Sequence, residues 1–258
     1  DLYRDELMDV DGEMAALSAI GDVLGDNVDF TIRLIDCMKR AGHLDDALEK
    51  ASSTLARTEE PSQRFELLRL RADMLKTTGD VDGALSDMEE AFDIRPADMA
   101  DGLESILRSR RGMCASNGDA EAERDIVYKL AALYETVQRH EDRRALLVDW
   151  LSTAAEDTYG WQALLQVERA TGNWEGVIEA CKKLTVLTAN HEQIDIARIL
   201  TDACRRTGQL EIARRGLEYV YRENIDGISL RDDLKQIYEE IGAWGELASF
   251  HAHDANAA

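Results

Sequence analysis

The stretch TGDVDGA at residues 78–84 decides the fold predicted for this chain. It joins a glycine and a short polar connection to the start of a new helix whose first inward position is a small residue. Closely similar stretches recur as AGHLDDA at 41–47, TGNWEGV at 171–177, TGQLEIA at 207–213 and IGAWGEL at 241–247. Five copies of one phrase indicate an internal repeat, which is the first feature to establish in a chain of this kind.

The glycines of these stretches give the size of the repeating unit. The spacing is 37 residues from Gly42 to Gly79, 36 from Gly172 to Gly208, and 34 from Gly208 to Gly242. A period of about 34 residues is typical of a unit made of two helices and a turn. Few segments alternate between apolar and polar residues with period two, so the sequence disfavours strands.

Each stretch has a physical reason to reverse the chain. Glycine adopts the left-handed backbone that ends one helix and turns the chain tightly onto the next. In three units a small residue follows on the second helix, namely Ala47, Ala84 and Ala213, and allows close approach of the first helix. Apolar residues such as Leu34 and Met38 recur at helical spacing. We therefore predict antiparallel helix pairs.

The second unit resembles the tetratricopeptide repeat family. Its apolar, small, turn and proline positions follow the order of that family: Leu68, Ala72, Leu75, Gly79, Ala84, Ala91 and Pro96. Before Gly172, the Trp and Leu positions of the family are matched by Trp161, Leu164 and Leu165. The resemblance, to bacterial-type members, implies an all-α fold: a right-handed superhelical solenoid of antiparallel helix pairs that binds other proteins.

The middle of the chain interrupts this regularity. Gly118 and Gly172 lie 54 residues apart, whereas one repeat needs about 34 residues and two need about 68. We predict helices near 97–116, 119–138 and 141–156, a turn at 138–142 made without glycine, and a lost or fused half-repeat. The predicted division is an N-terminal set of repeats at 1–117 and a C-terminal set at 118–258. One continuous solenoid is the alternative.

Composition narrows the classes of partner. The chain has 258 residues and a formal net charge of −22, which repels phosphate backbones, so we expect no nucleic-acid partner. The acidic residues either keep a long array soluble or attract a basic protein surface. No apolar run is long enough to span a bilayer, and we expect a cytoplasmic protein. The chain begins at Asp1, which is compatible with a piece of a longer protein.

The sequence contains no motif that indicates catalysis or a cofactor. The four cysteines include no Cys-x-x-Cys pair, so we predict reduced, buried thiols rather than a zinc or redox site. Neither a glycine-rich phosphate loop nor a G-x-S-x-G nucleophile motif occurs. We expect a non-enzymatic protein without metal or cofactor.

The candidate binding residues lie on the first helix of each unit, because first helices line the concave groove of a tetratricopeptide solenoid. Counting back from each turn glycine places these side chains in the groove: Asp36, Lys39, Arg40, Arg69, Asp73, Lys76, Gln162, Gln166, Arg169, Arg198, Asp202, Arg205 and Arg206. A purely structural alternative pairs Arg69 with Asp73, and Arg198 with Asp202, along their own helices.

One family activity does not fit these residues. Tetratricopeptide modules that clamp acidic chaperone tails use Asn together with Lys or Arg on the first helices. Asp36, Asp73 and Asp202 occupy the Asn positions, and a carboxylate there repels the tail that an Asn amide would bind.

Two functions remain open from the sequence. The first is a scaffold or adaptor whose groove, above all the region from Arg198 to Arg206, accepts a peptide or helix of a partner protein. The second is a regulatory or sensing segment of a larger multidomain signalling or effector protein. Self-association through the end helices is a further alternative.

Overall fold

The computed structural model describes residues 10–24, 27–223 and 229–257, and within these ranges the regular structure is entirely helical. The helices are α1 (Val10–Leu24), α2 (Val28–Ala41), α3 (Leu44–Leu55), α4 (Pro61–Thr78), α5 (Val81–Ile94), α6 (Pro96–Asn117), α7 (Ala120–Thr136), α8 (His140–Thr153), α9 (Thr158–Thr171), α10 (Trp174–Leu187), α11 (Asn190–Thr207), α12 (Leu210–Glu223), α13 (Arg231–Ile241) and α14 (Trp244–Ala257). The predicted all-α fold of antiparallel helix pairs is confirmed. Its right-handed superhelical sense stays a prediction.

Each glycine turn has the same local geometry. Six glycines have φ between 70° and 89°, and the next helix begins two residues after each of them. At Gly79 the following amide, that of Asp80, donates to the Leu75 carbonyl, which satisfies a carbonyl at the end of α4. The Asp80 side chain then accepts from the Gly83 amide and caps α5. Two residues, Gly79 and Asp80, therefore end one helix and start the next.

The fifth residue after a turn glycine is buried in the regular units. Ala47, Ala84, Val177 and Ala213 are fully buried, and Leu247 is nearly so. This position lies one turn into the second helix and faces the first helix of the same pair. The small residues predicted to permit close helix contact are confirmed in that role.

The irregular middle arises from a second turn that comes too early. Gln138 has φ of 58° and precedes α8 by two residues, so it takes the place of a turn glycine. Only 20 residues, enough for the single helix α7, separate it from Gly118. The fifth residue after Gly118 is Glu123, which pairs with Arg111. The fifth residue after Gln138 is Arg143, which is buried. The predicted glycine-free turn and half-repeat are thereby explained.

The chain divides into two compact units at Val137/Gln138 and not at the predicted 117/118 boundary. The reason is that α6 and α7 form a packed pair across Gly118. Tyr134 on α7 donates to Glu104 on α6 at 2.8 Å, and Arg111 contacts Glu123 at 3.0 Å. Cutting at Asn117 would separate these partners. The first unit contains α1 to α7, and the second contains α8 to α14.

Two glycine substitutions test the role of the turn. Gly79→Ala should lower the free energy of unfolding by about 1 kcal/mol, because a side chain is strained at φ of 89° although no atom lies within 4 Å of the added Cβ. Gly112→Ala is the matched control inside α6, where the added Cβ also meets nothing. It should stabilise by about 0.5–1 kcal/mol. Urea unfolding measures both, and a stabilising Gly79→Ala would contradict the assignment.

Candidate functional site

The predicted groove residues occupy repeating positions relative to the turn glycines. Three residues before the glycine stands a basic side chain in four units: Lys39, Lys76, Arg169 and Arg205. Six residues before it stand Asp36, Asp73, Gln166 and Asp202. A cation in the last turn of a helix also interacts favourably with the partial negative charge at its C-terminus. The pattern is thus part of the repeat itself.

In the first unit, this basic position joins neighbouring first helices. Lys39 Nζ on α2 lies 2.5 Å from Asp73 Oδ2 on α4. The Gln63 amide on α4 donates to Asp29 on α2 at 2.9 Å. These contacts run from one repeat to the next, so predicted groove residues hold the stack together.

The second unit uses the same device between α11 and α13. The Arg198 guanidinium contacts Asp233 at 3.3 Å and donates to the Ser229 carbonyl at 3.2 Å. In the last turn of α11, Arg205 Nη2 lies 3.0 Å from Glu240 Oε1 on α13. Two arginines of the region predicted to bind a partner are therefore engaged by the following repeat.

The two pairs predicted along single helices are wrong. Arg69 contacts Glu66 at 2.8 Å, while Asp73 receives Lys39 from the neighbouring helix. Arg198 pairs with Asp233, and Asp202 lies 3.8 Å from Arg205. The spacing of four residues allowed the predicted pairs, but neighbouring first helices supply better-placed partners.

Two further predicted residues also have intramolecular partners. Arg40 contacts Glu13 on α1 at 2.6 Å and Asp36 at 3.3 Å. The Arg206 guanidinium lies 4.3 Å from the centre of the Trp174 ring at the start of α10, a cation–π contact. A ligand that binds either arginine would therefore have to share or replace an intramolecular contact.

Sequence reasoning missed the acidic partners of these pairs, although a signal for them exists. Lys39 and Asp73 are 34 residues apart, and the Arg205–Glu240 pair spans 35 residues. Opposite charges separated by one repeat length indicate contact between equivalent positions of successive units. Searching only for spacings of three and four residues cannot find them.

The step from α9 to α11 is different. By analogy with Lys39–Asp73, Arg169 on α9 should reach Asp202 on α11, yet that pair is not formed within the described residues. In the same ranges the Gln162 and Gln166 side chains on α9 make no hydrogen bond. Together with the exposed Arg169 they form a stripe at helical spacing, which we call the α9 stripe. The exposed Lys76 on α4 likewise has no ion pair or hydrogen bond within the described residues, but in the α9 stripe three neighbouring side chains of the predicted groove are all available.

A buried carboxylate anchors the opposite side of α9. Glu168 is 2% exposed, accepts from Arg144 Nε on α8 at 2.7 Å, and accepts from the Asn173 amide at 2.7 Å. A Cβ on Gly176 would lie 2.4 Å from the Glu168 carboxyl carbon, so this glycine makes room for the carboxylate. A buried charge needs such partners, and the network ties α8, α9 and α10 together.

Three of the four thiols are buried, as predicted, and the fourth is partly exposed. Cys37, Cys181 and Cys204 are fully buried, and Cys114 is half-buried. Burial raises the pKa of Cys181 to about 12 and that of Cys204 to about 11, so the reactive thiolate is scarce at neutral pH. Within the described ranges, no three His, Cys, Asp or Glu side chains converge as a metal site would require.

Thiol labelling tests this environment. With a thiol-specific reagent at pH 8, the native protein should react rapidly at Cys114 alone, and all four cysteines should react after unfolding in urea. Cys114→Ser should remove the rapid phase. Rapid labelling of Cys181 in the native protein would show that α10 and α11 are less tightly packed than described here.

Charge exchange tests the contact between repeats. Arg205→Glu and Glu240→Arg should each lower the free energy of unfolding by about 0.5–1 kcal/mol, and the double exchange should recover much of that loss. Arg215→Glu, at an exposed position of α12, is the control for net charge. Urea unfolding at low salt measures the cycle. Strictly additive losses would show that the pair contributes nothing.

The residues described in the structure include no helix long and apolar enough to cross a membrane. No protein-family model matches the sequence, and no curated protein matches it either.

Solved structures similar to this chain include tetratricopeptide repeat proteins, at low sequence identity and low TM-score. A tetratricopeptide repeat protein from Parabacteroides merdae is 13% identical, with 91% of this chain and 94% of that chain covered and a TM-score of 0.37. The TPR2AB domain of yeast Sti1, in complex with pHSP90, is 12% identical over 92% of this chain and 93% of that one, with a TM-score of 0.39. YrrB, a TPR protein with an unusual peptide-binding site, is 11% identical over 84% and 98%, with a TM-score of 0.34. The chain is a helical repeat protein, and its glycine-turned helix pairs resemble those of tetratricopeptide repeat proteins.

Proposed function

We propose that this chain is a non-enzymatic scaffold that binds a segment of another protein along the first helices of its second unit. The observation that carries the proposal is the α9 stripe. At equivalent positions, α11 has Arg198 and Arg205 engaged by α13, whereas the side chains of the α9 stripe have no partner within the described residues.

The chemistry of the α9 stripe suits a peptide backbone. Gln162 and Gln166 each carry an amide with both a donor and an acceptor, and the Arg169 guanidinium adds a fork of donors. Side chains three or four residues apart on one helix face present these groups in a row. An extended segment lying along α9 offers alternating carbonyl and amide groups to such a row.

The unformed Arg169–Asp202 pair supports the same location. Asp202 is 73% exposed, and its contact with Arg205 is long at 3.8 Å. Both charges are therefore accessible to a partner that lies between α9 and α11. In the first unit the equivalent place is occupied by the Lys39–Asp73 pair.

The proposal requires variants that leave the repeat contacts intact. Reversing Arg198, Arg205 and Arg206 together would break pairs with α13 and the contact with Trp174, so loss of binding would be ambiguous. The double variant Gln166→Ala/Arg169→Glu changes exposed groups without a protein partner in the described ranges. Arg215→Glu, on a second helix, makes the same change in net charge.

Partner recovery by affinity capture should fall at least about tenfold for Gln166→Ala/Arg169→Glu and stay within about twofold for Arg215→Glu. A photo-crosslinking amino acid at position 166 should label the same partner, and one at position 215 should not. Circular dichroism and thermal unfolding check that each variant folds. Equal recovery by both variants would place binding elsewhere.

A further inference from the structure

A cleft of about 590 Å³ opens in the second unit among α8, α9 and α10, and we call it the α8–α10 cleft. It lies against the side of α9 that carries Glu168, and sequence reasoning did not find it. Its volume lies within the range of sites that enclose a small ligand or a large side chain.

The inner surface of the cleft is apolar. Leu151 and Leu164 are almost fully buried and line it, while Val148 on α8 is 47% exposed. Trp161 is half-buried at the same place, and its ring nitrogen donates to the Ala155 carbonyl at 2.9 Å, which fixes the ring. A rigid ring beside an exposed valine leaves apolar surface in water that a partner side chain would cover.

The rim of the cleft is acidic. Arg144 and Glu168 neutralise each other at 2.7 Å. That leaves Glu175 and Glu179, which lie four residues apart on the exposed side of α10. Glu179 contacts Lys182 at the surface, and Glu175 makes no ion pair within the described part of the chain. A ligand therefore meets the unpaired carboxylate of Glu175 beside an apolar floor.

We infer that the α8–α10 cleft accepts one large apolar side chain of a partner protein, flanked by a lysine or arginine that pairs with Glu175 or Glu179. The inference rests on the proposed function, since it names a second contact through which a scaffold would hold its partner. An acidic segment would be repelled by the rim, and a second copy of a chain with net charge −22 is disfavoured for the same reason.

Selection from a displayed library of random twelve-residue peptides supplies a defined probe. Enriched peptides should share a large apolar residue within two positions of Lys or Arg, and their binding, measured by fluorescence anisotropy, should weaken as salt is raised. Replacing the apolar residue by Ala in the peptide should weaken binding about tenfold or more. Enrichment of acidic peptides would overturn the inference.

Protein variants locate the peptide. Val148→Glu should weaken binding at least about tenfold, and Glu175→Lys about threefold or more. Val186→Glu and Glu192→Lys are matched controls at exposed positions outside the cleft and should change affinity less than twofold. Thermal unfolding shows whether each variant keeps its fold.

The remaining outcomes separate this inference from the proposed function. If peptide affinity is unchanged by Val148→Glu but lost with Gln166→Ala/Arg169→Glu, the cleft inference is wrong and the proposed scaffold function remains supported. Failure to enrich any peptide would overturn the cleft alone, because capture and crosslinking test the scaffold with folded partners. Light scattering that shows a dimer abolished by Val148→Glu would identify a second copy as the occupant and contradict the inference.

Discussion

The left-handed turn that ends each first helix is the constraint on which the other features of each unit depend. A glycine with positive φ stops one helix, and the next helix starts two residues later. Positions counted from that residue therefore recur from unit to unit. In the regular units the fifth residue after it is buried between the paired helices. The third residue before it is basic in four units, where Lys39 and Arg205 reach the next repeat and Lys76 and Arg169 form no such pair within the described residues.

The surface predicted to bind a partner also holds neighbouring repeats together. Each ion pair at a partly exposed position contributes little to the stability of the fold, but it occupies charged groups that a ligand would otherwise bind. Where a pair is complete, as between Arg205 and Glu240, the face serves stability. Where it is incomplete, between Arg169 and Asp202, the face leaves both charges accessible, and there we propose recognition. This division within one surface explains why we locate binding on α9 rather than in the arginine-rich end of α11.

The second unit also presents a different kind of surface on the far side of α9. There a buried carboxylate, Glu168, is made possible by the absence of a side chain at Gly176 and by the guanidinium of Arg144. The same arrangement leaves an apolar floor next to acidic residues of α10. In our proposals, the α9 stripe supplies polar recognition and the α8–α10 cleft, on the other side of the same helix, supplies apolar recognition.

The sequence by itself determined the helix pairs, the turn glycines and the small buried residues such as Ala84, because these follow from local backbone geometry and helical periodicity. It also indicated an irregularity and a glycine-free turn in the middle, because the 54 residues between Gly118 and Gly172 fit neither one repeat nor two. Only the tertiary structure decided which charges meet. Asp73 could pair along its own helix or with Lys39, which is 34 residues away in the chain. Which pair forms depends on how closely α2 and α4 approach each other. The cleft was likewise invisible in the sequence, because it is formed by residues of three helices whose packing no local pattern specifies.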